Sequence, residues 1–243
     1  MDFLEFNSFF NTVMSDNGLS HLIDEAKSRK LYILMDHMLK INKSMNLTAI
    51  KEEKAVIVRH FVDSLTIEPF LPQNAKILDV GCGAGFPSLP LGIFRPDLSI
   101  TALDSTEKRI RYVRDTAQML EIPHFTAIAA RAEDLAHKDM YRESFDIVTA
   151  RAVAALPVLS ELCLPFARVG GRFIAMKAKR GDEELSAAAS AIAKLGGTVQ
   201  RNLSILLTAD GEQDERQLIE IKKTNATPKD LPRAYAKIAK RPL

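Results

Sequence analysis

The chain has no tryptophan and only two cysteines among its 243 residues. Two cysteines cannot form the disulfide framework that staples small secreted domains, so a reducing compartment is expected. With 11 glycines and 11 prolines, the composition excludes collagen-like and low-complexity chains. No apolar run approaches the roughly 18 residues that a membrane-spanning helix needs, and Asp2 and Glu5 stand where a secretory signal has Lys or Arg. The chain is therefore expected in the cytoplasm, without a membrane partner; no metal is expected.

Charge is nearly balanced but unevenly distributed, with 33 Lys and Arg against 31 Asp and Glu. Residues 1–70 hold 8 basic and 10 acidic side chains, residues 71–223 hold 20 of each, and residues 224–243 hold 5 basic and 1 acidic. Binding to a nucleic acid would therefore rest on local patches rather than on overall charge. The same boundaries predict an N-terminal helical extension (1–70), a main domain (71–223) and a basic, loosely held C-terminal tail (224–243).

The spacing of apolar residues changes near residue 76. Before it, helical spacing covers about 3–14, 31–41 and 52–67, with a break expected at Asn42-Lys43-Ser44. After it, β-rich runs alternate with helical stretches, which predicts an α/β fold with a mostly parallel sheet and helices on both faces. The seven predicted strands are 76–80, 99–104, 124–129, 145–149, 172–177, 199–207 and 216–222. The last two flank a turn cluster and predict a closing antiparallel hairpin.

The most informative segment is a glycine-rich run between a strand and a helix, Ile77-Leu78-Asp79-Val80-Gly81-Cys82-Gly83-Ala84-Gly85-Phe86-Pro87. Alternate glycines let a turn come close to a ligand that a Cβ would block, and open α/β sheets bind ligands at the carboxyl ends of strands. The dinucleotide fingerprint Gly-x-Gly-x-x-Gly/Ala fails in both registers, because Phe86 or Ser88 occupies its last position. The Gly-Lys-Ser/Thr of phosphate-binding loops is also absent. A plain tight turn is the alternative interpretation.

Charged residues follow the next three strands. Asp104 ends the second strand, about 20 residues after the glycines, where a carboxylate accepts hydrogen bonds from ribose hydroxyls; capping of the next helix is the alternative. Lys108 and Arg109 in that helix are either phosphate contacts or a solvated face. Glu133 follows the third strand, within reach of an adenine amino group, and Arg151 follows the fourth, where the reacting groups are expected.

Together these residues resemble a class I S-adenosylmethionine-dependent methyltransferase. The glycine run is similar to the first motif of that superfamily, and Leu103-Asp104-Ser105 to its second. The closer resemblance is to the RsmG family, formerly called GidB, of ribosomal RNA small subunit methyltransferases, and it covers residues 42–178 strongly. Its family-specific segments are 45–50 (MNLTAI), 59–64 (RHFVDS), 85–91 (GFPSLPL), 131–133 (RAE), 149–152 (TARA) and 176–177 (MK). The resemblance implies a Rossmann-like, seven-stranded fold.

The resemblance also implies an activity, which is methyl transfer from S-adenosyl-L-methionine to N7 of one guanine, position 527, in bacterial 16S rRNA. The cofactor residues expected on this basis are Gly81, Gly83, Gly85, Phe86, Asp104, Ser105, Thr106, Ala132, Glu133 and Arg151. The candidate RNA contacts are Asn46, Arg59, His60, Lys108, Arg109, Lys177 and Arg241. The implied partner is 16S rRNA or the small ribosomal subunit, and a monomer is the default expectation.

The residues agree with N7 as the acceptor atom. Methylation of an exocyclic amine usually calls for Asp/Asn-Pro-Pro-Tyr/Phe after the fourth strand, where this chain has Ala150-Arg151-Ala152-Val153. Methylation of pyrimidine C5 needs a cysteine nucleophile, whereas Cys163 is expected in the core and Cys82 packs inside the glycine turn. Guanine N7 carries a lone pair and no proton, so in-line transfer needs alignment rather than a general base. No catalytic residue is firm; Arg151 and Lys177 are the candidate donors to guanine O6.

Three features keep two interpretations each. His60 and Asp63 share a helix face, either as a capping pair with a satisfied histidine or as part of an RNA contact near the cofactor. Phe86 is either a core residue or a flat wall beside the methionine end of the cofactor. The basic tail either contacts RNA phosphates or is only solvated.

Three other functions compete with this one. A methyltransferase for a small molecule or a protein would act on a non-RNA acceptor, and the family-specific segments disfavour it. An NAD-binding oxidoreductase is disfavoured by Phe86 and Ser88. A catalytically silent ribosome-assembly factor is disfavoured by the intact set of cofactor residues.

Overall fold

The computed structural model describes residues 1–178 and 181–243, and a seven-stranded sheet runs through them. The strands are β1 (Lys76–Val80), β2 (Ser99–Asp104), β3 (Phe125–Ala129), β4 (Phe145–Arg151), β5 (Ala167–Lys177), β6 (Gly197–Ala209) and β7 (Glu212–Lys223). Their order is β3-β2-β1-β4-β5-β7-β6. The first five strands pair in parallel, whereas β7 runs antiparallel to both β5 and β6. The predicted α/β class and C-terminal hairpin are confirmed.

Helices pack on both faces of this sheet, as predicted. The α-helices are α1 (Phe3–Asp16), α2 (Glu25–Met45), α3 (Glu53–Val56), α4 (Asp63–Leu65), α5 (Ser88–Phe94), α6 (Glu107–Met119), α7 (Ala132–Leu135), α8 (Leu156–Cys163), α9 (Gly181–Lys194) and α10 (Tyr235–Lys240). Neighbouring residues of a strand face opposite sides of a sheet. Accordingly Ile77 joins an apolar cluster with α1, α2, α5 and α6, while Leu78 joins a second cluster with α8 and α9.

The helix predicted over 52–67 has a wider middle section. A π-helical stretch, Ile57–Val62, links α3 to α4 and carries Arg59 and His60. Single π-helical turns that interrupt α-helices are frequently found at functional sites. Periodicity alone did not reveal this stretch, because its apolar residues Ile57, Phe61 and Val62 also fit an ordinary helix.

The predicted helix break at Asn42-Lys43-Ser44 is wrong, since α2 continues to Met45 and ends at Asn46. Asn46 adopts the left-handed conformation with a φ of 51°, which asparagine tolerates better than most residues. Asn42 stays helical, and its side chain holds the segment beyond the helix by accepting from Thr48 N at 3.0 Å and donating to Thr48 O at 2.9 Å. The residue that looked like a breaker therefore ties down the chain that follows.

The expectation of a loosely held tail is also wrong. Leu231 is 6% exposed and Ile238 is fully buried, and both belong to the apolar cluster under α8 and α9. The guanidinium of Arg142 donates to the carbonyl oxygens of Pro228 at 2.9 Å and Leu231 at 2.9 Å. The sequence did not reveal these contacts, because the segment has few apolar residues among many charged ones. The boundaries at residues 70 and 223 stay predictions.

Arg233 anchors the same segment to α8. Its Nε and Nη2 atoms donate to the two carboxylate oxygens of Glu161 at 2.9 and 2.6 Å, and its backbone N donates at 2.9 Å. The Glu161 side chain is 0% exposed. Replacing Arg233 with Ala is expected to lower the free energy of unfolding by about 3 kcal/mol, because a buried carboxylate would lose its charged partner.

Urea unfolding followed by circular dichroism measures this loss. Arg168→Ala is the matched control, because its ion pair with Asp146 at 2.7 Å lies at the surface with side chains 53% and 30% exposed. That exposed pair is worth less than about 1 kcal/mol. Equal effects of the two substitutions would contradict a structural role for the Arg233 contact.

Within the described ranges, no helix has the length and apolar character needed to cross a membrane. The same residues contain no group of three or more His, Cys, Asp and Glu side chains arranged to hold a metal ion.

Candidate active site

The carboxyl ends of β1, β2 and β4 and the loop after β3 surround a cavity of about 410 Å³, called here the first cavity. This is the sheet edge at which parallel α/β folds bind ligands. Eight of the ten expected cofactor residues line it, namely Gly81, Gly83, Phe86, Asp104, Ser105, Ala132, Glu133 and Arg151. The sheet topology brings these residues together, because the four strands lie side by side in the order β3-β2-β1-β4 and their carboxyl ends meet. Along the chain, about 70 residues separate the end of β1 from the end of β4.

The glycine turn passes from β1 to α5 along the wall of the first cavity. The backbone N atoms of Gly81 and Cys82 both donate to Leu103 O, at 2.7 and 2.9 Å, which ties the turn to the end of β2. Gly81 has a φ of 74°, and a Cβ built on it would lie 2.6 Å from Val153 Cγ2. Both the backbone conformation and the close approach of Val153 therefore require glycine at this position.

Gly85 and Thr106, also expected to contact the cofactor, lie outside the lining of the first cavity. A Cβ on Gly85 would come within 2.4 Å of Leu89 Cδ1, so this glycine allows α5 to pack against the turn. Thr106 is the N-cap residue of α6, and its backbone N donates to Asp104 Oδ1 at 2.8 Å. Gly85 and Thr106 therefore support the wall of the first cavity through packing and hydrogen bonding, without lining the cavity.

Asp104 accepts a hydrogen bond at the start of α6 and also lines the first cavity. Its Oδ1 atom accepts from Thr106 N at the start of α6, and its Oδ2 atom accepts from Gly83 N at 3.1 Å. The Arg109 guanidinium lies 3.7 Å from Oδ2. Each carboxylate oxygen has two lone pairs, so capacity remains for a ligand in the first cavity, which Asp104 lines. These hydrogen bonds orient the Asp104 carboxylate and do not use all of its capacity to accept hydrogen bonds.

Asp79 lies in β1 behind the glycine turn and carries no predicted role. It is 1% exposed, its Oδ2 atom accepts from the Ser88 hydroxyl and from Ser88 N at 3.3 Å, and its Oδ1 atom has no hydrogen-bond partner. Burial raises the pKa of the Asp79 carboxyl to about 6, although the Ser88 hydrogen bonds oppose this shift. The signal in the sequence was an acid inside an otherwise apolar strand.

Asp79→Asn is expected to stabilise the protein at pH 8 but not at pH 4. The pKa of Asp79 is about 6 in the native state against an ordinary value of 3.8, so between these pH values the native state holds a proton that the unfolded chain releases. Stability from this group is therefore full below about pH 4 and is lost as pH rises through 6. The asparagine variant lacks that loss, so its advantage should grow by about 2–3 kcal/mol between pH 4 and pH 8.

Urea unfolding of both proteins at pH 4, 6 and 8 measures this difference. Asp97→Asn is the control, because hydrogen bonding to Arg95 lowers the pKa of Asp97 to about 2. The stabilisation from Asp97 is lost only as pH falls below about 4, so the effect of this substitution should hardly change between pH 4 and pH 8. An Asp79→Asn advantage that does not change with pH would refute the raised pKa.

A second cavity of about 710 Å³ adjoins the first and shares His60, Arg151 and Ala152 with it. Arg151 Nη1 donates to Asp63 Oδ2 at 2.8 Å and to Arg59 O at 3.1 Å. Asp63, whose side chain is 8% exposed, also accepts from Arg216 Nε at 3.2 Å. The π-helical stretch and α4 thus hold the Arg151 side chain at the boundary between the two cavities.

His60 forms the other part of this boundary. Its ring stacks on Phe86 with centroids 4.5 Å apart and an interplanar angle of 3°. Arg151 Nη2 lies 3.3 Å from His60 Nδ1, and because arginine only donates, Nδ1 accepts and Nε2 donates to Thr48 Oγ1 at 2.8 Å. Burial, aided by the Arg151 charge, lowers the pKa of His60 to about 3. The histidine is therefore neutral at pH 7, and Phe86 is both a buried residue and a cavity wall.

The expected RNA contacts are spread around these cavities. Lys177 and Arg59 line the second cavity, but Lys177 Nζ already pairs with Glu184 at 2.6 Å and Arg59 Nε with Asp214 at 3.3 Å. Arg109 lines the first cavity, as does His60. The remaining three, Asn46, Lys108 and Arg241, are exposed and line neither cavity.

Several lining residues were not predicted. Thr48 and Tyr235 line the first cavity and Arg216 lines the second. Thr48 lies within a family-specific segment, which was a usable signal, whereas Tyr235 and Arg216 reach the site only through packing of distant parts of the chain. Burial raises the pKa of the Cys82 thiol well above its usual range, so this cavity-lining cysteine is a poor nucleophile.

Comparison with known proteins shows which proteins this chain is similar to. The family model of rRNA small subunit methyltransferase G matches residues 27–218. The ribosomal RNA small subunit methyltransferase G of Limosilactobacillus reuteri is 44% identical over 96% of this chain and 98% of its own length. Its counterpart in Halalkalibacterium halodurans is 46% identical over 83% and 85%. A crystal structure of a SAM-dependent methyltransferase from Aquifex aeolicus, 17% identical, superimposes with a TM-score of 0.51 over 68% of this chain and 92% of that one, which shows a shared fold.

Proposed function

The chain belongs to the rRNA small subunit methyltransferase G family, and from that premise we propose that it methylates N7 of a single guanine, position 527, in bacterial 16S rRNA. Family membership makes it an S-adenosyl-L-methionine-dependent methyltransferase of small-subunit rRNA. The specificity for N7 and for one guanine is the proposal. The chain acts as a monomer in the cytoplasm, where ribosomal subunits are assembled.

The residues of the first cavity fit S-adenosyl-L-methionine. A Cβ on Gly83 would meet only Gly81 O, at 4.0 Å, so this glycine leaves a cradle that a side chain would fill. Asp104 presents carboxylate oxygens for the ribose hydroxyls, and Glu133 lies beyond it on the β3 side for the adenine. The methionine portion then lies toward Phe86 and Arg151 at the opposite end of the cavity.

The observation that carries the proposal is the shared boundary between the two cavities. We place the guanine in the second cavity, with its N7 edge toward His60, Arg151 and Ala152. Arg151 is held by Asp63 at 2.8 Å and lies with its Cζ atom 5.5 Å from the centre of the Phe86 ring. In this position its guanidinium is the donor for guanine O6, which leaves the N7 lone pair free. Lys177, paired with Glu184, lines the far side of the guanine.

No group at the boundary needs to move a proton. The chemistry that the cofactor supplies is a sulfonium methyl group, which N7 takes up in one in-line displacement that leaves S-adenosylhomocysteine and a cationic methylguanine. His60 is neutral, with both ring nitrogens engaged, and Asp63 accepts from two arginines. The stacked rings of His60 and Phe86 close the boundary against water. Alignment and exclusion of water are the contributions that this chain makes.

Methyl-labelled S-adenosyl-L-methionine tests the proposal. The chain is incubated with small ribosomal subunits or naked 16S rRNA from cells that lack the enzyme, and the label is mapped. A single N7-methylguanine at position 527 is the expected product. Label on another atom or another nucleotide would overturn the specificity, and cofactor binding without any labelled RNA would overturn the rRNA substrate.

A further inference from the structure

Tyr235 lines the first cavity although it belongs to α10, at the far end of the chain. It lies outside residues 27–218, the part matched by the family model. Its side chain is the aromatic group of the C-terminal segment, and the residue is 42% exposed. An exposed aromatic ring that faces a cavity is available to a ligand.

The ring lies at the end of the cavity opposite the reacting groups. The Arg131 guanidinium carbon is 5.9 Å from the centre of the Tyr235 ring, and Arg131 directly precedes Ala132 and Glu133 after β3. His60, Phe86 and Arg151 mark the other end, beyond Asp104, because β2, β1 and β4 follow β3 in the sheet. A ligand whose ribose is held at Asp104 therefore has its purine base beside Tyr235.

The C-terminal segment fixes Tyr235 in this place. Two residues before it, Arg233 is held by the buried carboxylate of Glu161, and three residues after it, Ile238 is fully buried. His137 Nε2 lies 2.9 Å from the carbonyl oxygen of Pro232. Because the chain is anchored on both sides of Tyr235, little backbone entropy is lost when a ligand contacts this residue. The anchored C-terminal segment therefore holds Tyr235 beside the first cavity.

We infer that Tyr235 is a cofactor-binding residue, whose ring packs against the adenine of S-adenosyl-L-methionine and makes the C-terminal segment part of the cofactor site. This rests on the proposed function, because it takes S-adenosyl-L-methionine as the occupant of the first cavity. Packing between aromatic rings adds to the burial of apolar area. The adenine is then enclosed on one side by the loop after β3 and on the other by α10.

Isothermal titration of the full chain with S-adenosyl-L-methionine, without RNA, tests this inference. Tyr235→Ala is expected to weaken binding about 10-fold, while Tyr235→Phe stays within about 2-fold of the parent because the ring is retained. 5′-Methylthioadenosine, which keeps the adenine but lacks the amino acid portion, should lose the same factor. Ala236→Ser, at the next and also exposed position of α10, should leave both affinities unchanged.

Tyrosine fluorescence gives a second readout, because the chain has four tyrosines and no tryptophan. The cofactor should change the emission of the parent chain, and most of that change should be absent in Tyr235→Phe although the variant still binds. Equal affinity of Tyr235→Ala and the parent, or an equal loss in the alanine and phenylalanine variants, would overturn the inference while leaving the methyltransferase function intact. A parent chain that does not bind S-adenosyl-L-methionine would instead overturn the proposed function.

Discussion

Arg151→Ala is expected to lower the single-turnover rate of rRNA methylation about 100-fold at saturating S-adenosyl-L-methionine, the usual cost of removing a donor aimed at reacting atoms. Arg151 is the charged residue that lines both cavities and donates toward both Asp63 and His60. The substitution removes the proposed donor to guanine O6. It also removes the side chain that forms the boundary between the two cavities. Asp63 keeps Arg216 at 3.2 Å as a partner, so the fold should survive.

Arg172→Ala is the matched control for this variant. Arg172 forms an ion pair of the same length, 2.8 Å, with the buried Glu220, but it lies in β5 away from both cavities. That substitution should reduce stability and leave the single-turnover rate within about 3-fold of the parent. Quench-flow measurement with labelled cofactor separates the two, and an Arg151→Ala rate close to that of Arg172→Ala would exclude Arg151 from the reaction.

Gly83→Ala and Gly85→Ala are expected to fail in different ways, although both glycines belong to one turn. Gly83 has a φ of 57°, and its Cβ would meet only Gly81 O at 4.0 Å, so the methyl group would take up space in the first cavity. We expect a cost of about 1 kcal/mol in stability and at least ~100-fold weaker cofactor binding, because the ligand cannot approach the backbone.

Gly85→Ala should instead destabilise the fold by about 3 kcal/mol or more. Its φ is 91°, and the new Cβ would lie 2.4 Å from Cδ1 and 2.7 Å from Cγ of the fully buried Leu89. Urea unfolding and isothermal titration of both variants provide the comparison. The proposed roles are cofactor binding for Gly83 and packing for Gly85. They are refuted if Gly83→Ala binds the cofactor as the parent does, or if Gly85→Ala keeps full stability.

Much of the sheet was predictable because its strands are short apolar runs bounded by turn residues. β1 and β2 match their predicted ranges in full, and the order of α/β units follows from their alternation. The N-terminal half of β5 and the outer ends of β6 and β7 were missed. The missed part of β5 contains two glycines and the missed ends of β6 and β7 are mostly polar, so apolar spacing does not mark these stretches as strands.

Some residues of the candidate site could likewise be predicted from the sequence, whereas others could not. The glycine turn, Asp104, Glu133 and Arg151 were accessible from sequence, because each follows a strand at an edge where the topology gathers such residues. The ion pair between Arg151 and Asp63 spans 88 residues, and that between Arg216 and Asp63 spans 153. Pairing at such separations is not encoded in any local pattern. The neutral state of His60 and the raised pKa of Asp79 likewise arise from burial among residues brought in from elsewhere.

By itself, the amino-acid sequence determined the class of fold, the edge of the sheet where the candidate site lies and the glycines that form its turn, because these follow from local periodicity and backbone sterics. Only the tertiary structure decided that Arg59 of the π-helical stretch meets Arg151 and that Arg216 of β7 meets Asp63, the ion-pair partner of Arg151. It also decided that the C-terminal segment packs beneath α8 and α9 and brings Tyr235 to the cavity. The physical reason is that burial and charge pairing depend on which surfaces of the chain meet. Those surfaces are formed by side chains that are distant from one another in sequence.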